Sequence, residues 1–181
     1  MGHFEKQVEK NIVYTGRIVT VRSDKAELEN GNIALREVVE HSGGVGIVAI
    51  DAQGRVVLVR QFRYPMSEEL LEIPAGKLER GEEPLACAAR ELSEETGLTA
   101  ESFVDLGAVY PSPGYCQETL YVYLAVGVTE GKAHLDEDEF LSVERIPLDE
   151  FADMIMENRI RDAKTVIGIL KAQRYLQQHS V

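Results

Sequence analysis

The chain has 181 residues, 44% of them hydrophobic, with a net charge of −12, which suits one globular domain with an appended element. That acidity excludes a large nucleic-acid footprint, which needs a basic patch to displace counterions, but not a small phosphorylated ligand held by a few Arg and a metal. No apolar run approaches the roughly 20 residues of a membrane span, and the opening MGHFEKQVEKN has neither an apolar leader core nor a myristoylation pattern, so a cytoplasmic protein is expected.

Residues 12–14, 18–21 and 33–39 are β-prone, and Asn30-Gly31 is a strong hairpin turn. Residues 44–50 and 55–60 read as two buried strands around the turn 51–54. A short strand over 69–73 is stopped by Pro74. A helix is predicted over 84–96, because Pro84 suits its first turn and Gly97 the position just past its end. Its apolar stripe is Leu85, Ala88, Ala89 and Leu92, with Glu91, Glu94 and Glu95 away from the middle of that stripe. Strands are expected over 103–110, 119–126 and 140–146, a turn-rich loop over 111–118, and helices over about 148–158 and 162–177. Many strands with three helices interspersed indicate an α/β sandwich of the mixed α+β kind. Cys87 and Cys116 form neither a metal spacing nor a disulfide framework.

The stretch 76–98, GKLERGEEPLACAARELSEETGL, carries the chemistry. Glu91, Glu94 and Glu95 stand at i, i+3 and i+4, along one side of a helix. Like charges at i,i+4 are unfavourable by a few tenths of a kcal/mol. Carboxylates in a last turn also face the negative end of the helix dipole, at a cost of roughly 0.3–1 kcal/mol. Two or three Glu on a helix are ordinarily just a solvated face, but their spacing here is specific. Gly76, five residues, Glu82, seven residues, Arg90-Glu91-Leu92, one residue, Glu94-Glu95, one residue and Gly97-Leu98 match the Nudix box at all nine specified positions over 23 residues.

The chain therefore resembles the Nudix hydrolases. The resemblance implies a Nudix fold, a mixed β-sheet core sandwiched between helices, with an N-terminal β-strand extension. It implies metal-dependent hydrolysis of a nucleoside diphosphate linked to another moiety, using Mg²⁺ or Mn²⁺. Hard oxygen ligands suit such ions, which neutralise phosphate charge and acidify a bound water. By the same resemblance Glu91 and Glu95 are the principal metal ligands, Glu94 an auxiliary one and the carbonyl of Ala75 a further one. Glu82 and Arg90 orient the box.

Further residues are similar to the ADP-ribose pyrophosphatase group. The acidic run Asp136-Glu137-Asp138-Glu139 matches its late loop; Glu137 is then the general base and Glu139 a metal ligand, with the two roles interchangeable. Pro113 stands sixteen residues beyond Gly97, the spacing that marks the group. Glu118 and Ser112 match substrate-binding positions, and Arg63 matches a phosphate contact, for which a guanidinium fork is suited. Arg36 matches an Arg that reaches the substrate from the partner subunit. Arg17 and Ile18 stand where an aromatic ring often stacks on adenine; the Arg17 guanidinium can stack in its place. The expected organisation is residues 1–42 as a β extension for homodimerisation and 43–181 as the Nudix hydrolase domain. The expected reaction is hydrolysis of ADP-ribose to AMP and ribose 5-phosphate, with no nucleic acid and no membrane as partner. The alternatives are a Nudix pyrophosphatase of another nucleotide sugar or an oxidised nucleotide, and a non-catalytic ligand-binding regulator.

Overall fold

The computed structural model describes residues 2–135 and 140–179. The chain divides into two compact units, residues 1–43 with 110–119 and residues 44–109 with 120–181.

The first unit is a small antiparallel sheet. Its long central strand β3 (Thr20–Glu27) pairs on one side with β4 (Ile33–Glu40). The other side pairs in succession with β1 (Lys6–Glu9) and β2 (Ile12–Thr15). The sequence reading lacks β1, since KQVE has a single apolar residue and no alternation to mark it. Charged groups, not a deep apolar core, hold this sheet. Buried Asp24 accepts bonds from Gln7 Nε2 (2.7 Å) and the Asn11 amide (3.2 Å), and Arg22 bridges it to Glu40. Ile12, Val13, Tyr14, Ile18, Ile33 and Leu35 are all more than half exposed. Residues 110–119 join this unit through the Val39–Cys116 bridge.

The second unit is a mixed sheet in the order β11-β6-β5-β10-β9. The strands are β5 (Gly44–Ile50), β6 (Arg55–Arg63), β9 (Leu98–Val109), β10 (Leu120–Glu130) and β11 (Leu141–Pro147). Among the described residues of this sheet, β5 and β10 run parallel and the other pairs of these strands antiparallel. Among the described residues three helices cover the sheet: α1 (Pro84–Thr96), α2 (Leu148–Met156) and α3 (Ala163–His179). Side chains alternate along a strand, so β5 sends Val45, Ile47 and Ala49 towards α1 and Val48 to the opposite layer with α2 and α3. Because both faces are covered, β5 and residues 56–59 of β6 read as continuous apolar runs. Phe151, Ile47 and Leu58 are wholly buried, each contributing about 1.5–3 kcal/mol. This is the expected mixed sheet between helices. No helix among the described residues is long and apolar enough to cross a membrane.

The sheet forks where the site lies. β5 and β6 pair only at Ala49↔Val57 and Ile50↔Val56. Beyond that point β7 (Glu68–Glu72) takes the place beside β6, and β8 (Ala75–Lys77) the place beside β5. The chain crosses between them at Ile73-Pro74, where the Pro74 carbonyl accepts the Ile47 amide at 2.8 Å. Sequence reading ends the strand at Pro74 and does not foresee β8: AGK has no β-propensity, and only Gly44–Gly46 across from it creates the pairing.

Candidate active site

Helix α1 starts with Pro84 in its first turn and ends at Gly97, whose φ of 73° closes the αL cap and whose amide bonds the Ser93 carbonyl at 2.9 Å. Its orientation corrects the sequence reading. The buried residues are Cys87, Ala88, Glu91, Leu92, Glu95 and Thr96, while Leu85 is half exposed and Ala89 faces solvent. Glu91 and Glu95 therefore share the inward face, at 8% and 3% exposure. Small side chains at Cys87 and Ala88 let α1 approach β5 and β8 closely, and that approach carries the two carboxylates inward with it.

The carboxylates are held from two sides. Glu95 Oε2 accepts the Ala75 amide at 3.0 Å. Glu91 occupies the space where a Gly76 side chain would be, because a Cβ there would lie 1.8 Å from the carboxylate. Arg90 organises the outer side. It donates Nε and Nη2 to Glu82 (2.9 and 3.0 Å) and Nη1 to Glu91 (2.8 Å) and Glu94 (2.9 Å). With no basic residue in the last turn of α1, this one guanidinium offsets the clustered acids. The Arg90 bonds, with the Glu79 amide, pull the Glu82 carboxyl down to about 2, and the same contacts raise the pKa of Arg90. Burial pushes the Cys87 thiol up to about 12, as suits a packed residue and not a nucleophile.

Ala75, Glu82, Arg90, Glu91, Glu94 and Glu95 are thus gathered on β8, the following loop and α1. Among the described residues no three His, Cys, Asp or Glu side chains form a ready cation cluster. The donor chemistry nevertheless fits a divalent cation: two buried carboxylates, a third beside them, and a backbone cleared of side chain at Gly76. Glu137 and Glu139 lie outside the described residues. Arg63, the last residue of β6, is bound to buried Glu72 through Nε (2.8 Å) and Nη2 (2.6 Å). Glu72 also accepts Lys164 from the first turn of α3. Sequence reading missed Glu72 and Lys164. They stand 92 residues apart, and each sits in an ordinary strand or helix pattern that carries no local signal.

The remaining expected residues belong to the first unit. Arg17 is exposed on the bend after β2. Arg36, on β4, donates Nε and Nη2 to Glu5 at 2.8 and 2.5 Å. Ser112 opens a turn in which its carbonyl accepts the Tyr115 and Cys116 amides. Glu118 lies 3.4 Å from His41 Nδ1, which accepts the Gly43 amide.

A NUDIX domain family model matches residues 40–166. The chain is 41% identical over 175 residues to an ADP-ribose pyrophosphatase of Bacillus subtilis (strain 168), covering 96% of this chain and 92% of that protein. It is 42% identical, with the same coverage of both chains, to a methanol dehydrogenase activator of Bacillus methanolicus. Among solved structures, an ADP compounds hydrolase superposes with a TM-score of 0.85 over 98% of this chain and 97% of that one. At 24% identity this match shows the fold alone.

Proposed function

The chain belongs to the Nudix family of hydrolases, and from that premise we propose that it hydrolyses the pyrophosphate of ADP-ribose to AMP and ribose 5-phosphate in the cytoplasm. The observation that carries the reading is the pair of buried carboxylates, Glu91 and Glu95, facing the glycine-cleared backbone of Gly76. Identity to the Bacillus subtilis ADP-ribose pyrophosphatase over nearly the whole chain supports the choice of substrate.

Nudix hydrolases generally need divalent metal ions, and Mg²⁺ is the proposed ion, with Mn²⁺ the alternative. Glu91, Glu95, Glu139 and the Ala75 carbonyl would hold it, with Glu94 auxiliary. When bound, such an ion neutralises phosphate charge and lowers the pKa of a coordinated water. Glu137 accepts the proton of the attacking water. Arg90 and Glu82 keep the acids in register, and Arg63 binds a phosphate oxygen. Arg17, Ser112 and Glu118 contact the remainder of the substrate. Residues 1–42 form the dimerisation extension, from which Arg36 reaches substrate in the partner subunit after leaving Glu5. The exposed apolar side chains of the first unit support an interface there.

The test is kcat/KM over a panel of ADP-ribose, other nucleotide sugars and oxidised nucleotides, with Mg²⁺ and with Mn²⁺. ADP-ribose should rank first, with AMP as product; a preference for another substrate would replace it. Tight ADP-ribose binding without metal-dependent AMP release would instead mark a ligand-binding regulator. Glu95→Gln should lower turnover by orders of magnitude while the fold persists, and near-normal activity would sink the ligand assignment. A fully active monomer in sedimentation would refute the shared site.

A further inference from the structure

Glu72 is wholly buried, yet the proposed chemistry makes no use of it. It is the last residue of β7, at the crossing of the sheet fork, three residues before Ala75. Two cations converge on its carboxylate. Arg63 takes both oxygens in a bidentate fork, and Lys164 donates to Oε2. Lys164 Nζ also stands 3.0 Å from Asp162 Oδ2. Asp162 in turn accepts the Thr165 amide (3.0 Å) and hydroxyl (2.6 Å), and Thr165 Oγ1 accepts the Ile73 amide at 3.0 Å. The first turn of α3 thus grips residues 72 and 73 through both a side chain and the backbone.

Stability alone does not account for this arrangement. A buried ion pair gains little over well-packed apolar side chains, because desolvation cancels most of the attraction. What a bidentate Arg–carboxylate pair does supply is orientation. Glu72 takes the Nε and Nη2 edge of Arg63, while the Arg63 side chain keeps 37% of its surface exposed. Glu72 leaves Nη1 of the guanidinium outside its fork, and the group lies within electrostatic reach of Glu95 on the box. Lys164 shares the negative charge of Glu72, and Asp162 in turn balances Lys164, so the cluster is neutral and its contribution is orientation, not charge. Burial pushes the Glu72 carboxyl up, but its bonds to the two cations outweigh that and keep it ionised.

We propose that Glu72 is a positioning residue, clamped between Lys164 and Arg63, that fixes the Arg63 guanidinium in one orientation beside the box for a pyrophosphate ligand. This rests on the reading of the chain as a nucleotide-sugar pyrophosphatase whose Arg63 meets phosphate. Pre-orientation removes the entropy that a free Arg side chain would lose on binding.

The test compares full-length wild type, Arg63→Ala, Glu72→Gln and the double variant, with ADP-ribose and Mg²⁺. Each single substitution should lower kcat/KM about tenfold or more, the usual scale of a charge-assisted contact. The double variant should be no worse than Arg63→Ala. Added methylguanidinium should restore part of the activity of Arg63→Ala and none to the double variant, since Glu72 anchors the substitute. A purely structural Glu72 would give multiplicative losses that track Tm, and equal rescue in both backgrounds; either result overturns the proposal. So does a Glu72→Gln enzyme with wild-type kcat/KM. Where Glu72→Gln does not fold, Glu72→Asp withdraws the charge by one methylene, and its loss must likewise vanish in the Arg63→Ala background. Wild type inactive on every nucleotide sugar overturns the parent reading together with the proposal, whereas an active wild type with an unaffected Glu72 variant overturns the proposal alone.

Discussion

Replacing Gly76 with Ala separates the site from the scaffold. The new Cβ would lie 1.8 Å from the Glu91 carboxylate carbon and from one of its oxygens. Ordinary contact begins near 3.4 Å, so the carboxylate must retreat by roughly 1.5 Å. It is the far end of a side chain, bonded by Arg90, and can do so by changing rotamer, without moving the sheet. Misplacement of a reacting group by about 1 Å can cost about 10²-fold in rate, which is roughly 2.7 kcal/mol of activation free energy. The backbone should tolerate the change, since Gly76 is not in the left-handed region and Ala there restricts the unfolded chain by about 0.4–1 kcal/mol. The expected outcome is a loss of about two decades in kcat/KM with Tm changed by only a few degrees. Gly44→Ala is the contrast: its Cβ would meet the Gly76 carbonyl oxygen at 2.6 Å, and a backbone atom paired in the sheet cannot step aside. That variant should lose stability first. The pair is measured by steady-state hydrolysis and calorimetry. A Gly76→Ala enzyme with near wild-type activity, or one whose activity falls only with its Tm, refutes the reasoning.

Further predictions concern the support around the site. Because Arg90 and the Glu79 amide lower the Glu82 carboxyl from its ordinary 4.5 to about 2, the stability Glu82 contributes is present above 4.5 and lost as pH falls through 2. The urea midpoint gap between wild type and Glu82→Gln should therefore narrow across that window, and a constant gap would contradict the coupling. Thr165→Val keeps the shape but leaves the Ile73 amide and Asp162 without the buried hydroxyl, a cost of about 1–3 kcal/mol. Tm should fall by several degrees, and an unchanged Tm would show that the latch carries no weight. Cys87 is wholly buried with its thiol pushed up to about 12, so alkylation of the native protein at mildly alkaline pH should be confined to the partly exposed Cys116. Comparable labelling of Cys87, followed by peptide mass mapping, would contradict the packing.

Much of the fold was legible because it is local. The apolar runs at β5 and β6, the Asn30-Gly31 turn, and Pro84 and Gly97 bounding α1 each act through their immediate neighbours. The box was legible for the same reason: nine positions from β8 through one loop and one helix to the start of β9 keep their spacing whatever they pack against. Strands β1 and β8 were not legible, because partners remote in sequence, not their own propensity, make them strands. The rotation of α1 was not legible either. Leu85 and Ala89 count as apolar in any pattern, yet the close approach to β5 and β8 needs the small face at Cys87 and Ala88, and that face carries Glu91 and Glu95 inward.

By itself, then, the sequence determined the sandwich class, the carboxylate platform and the hydrolase family, because hydrophobic period and motif spacing are written within tens of residues. Only the tertiary structure decided which face of α1 is buried, how one guanidinium serves three acids, and that Arg63 ends on Glu72. The reason is physical. The pairing of Lys164 with a carboxylate 92 residues away depends on where the sheet forks and where α3 begins, and such long-range placement leaves no periodicity in the chain.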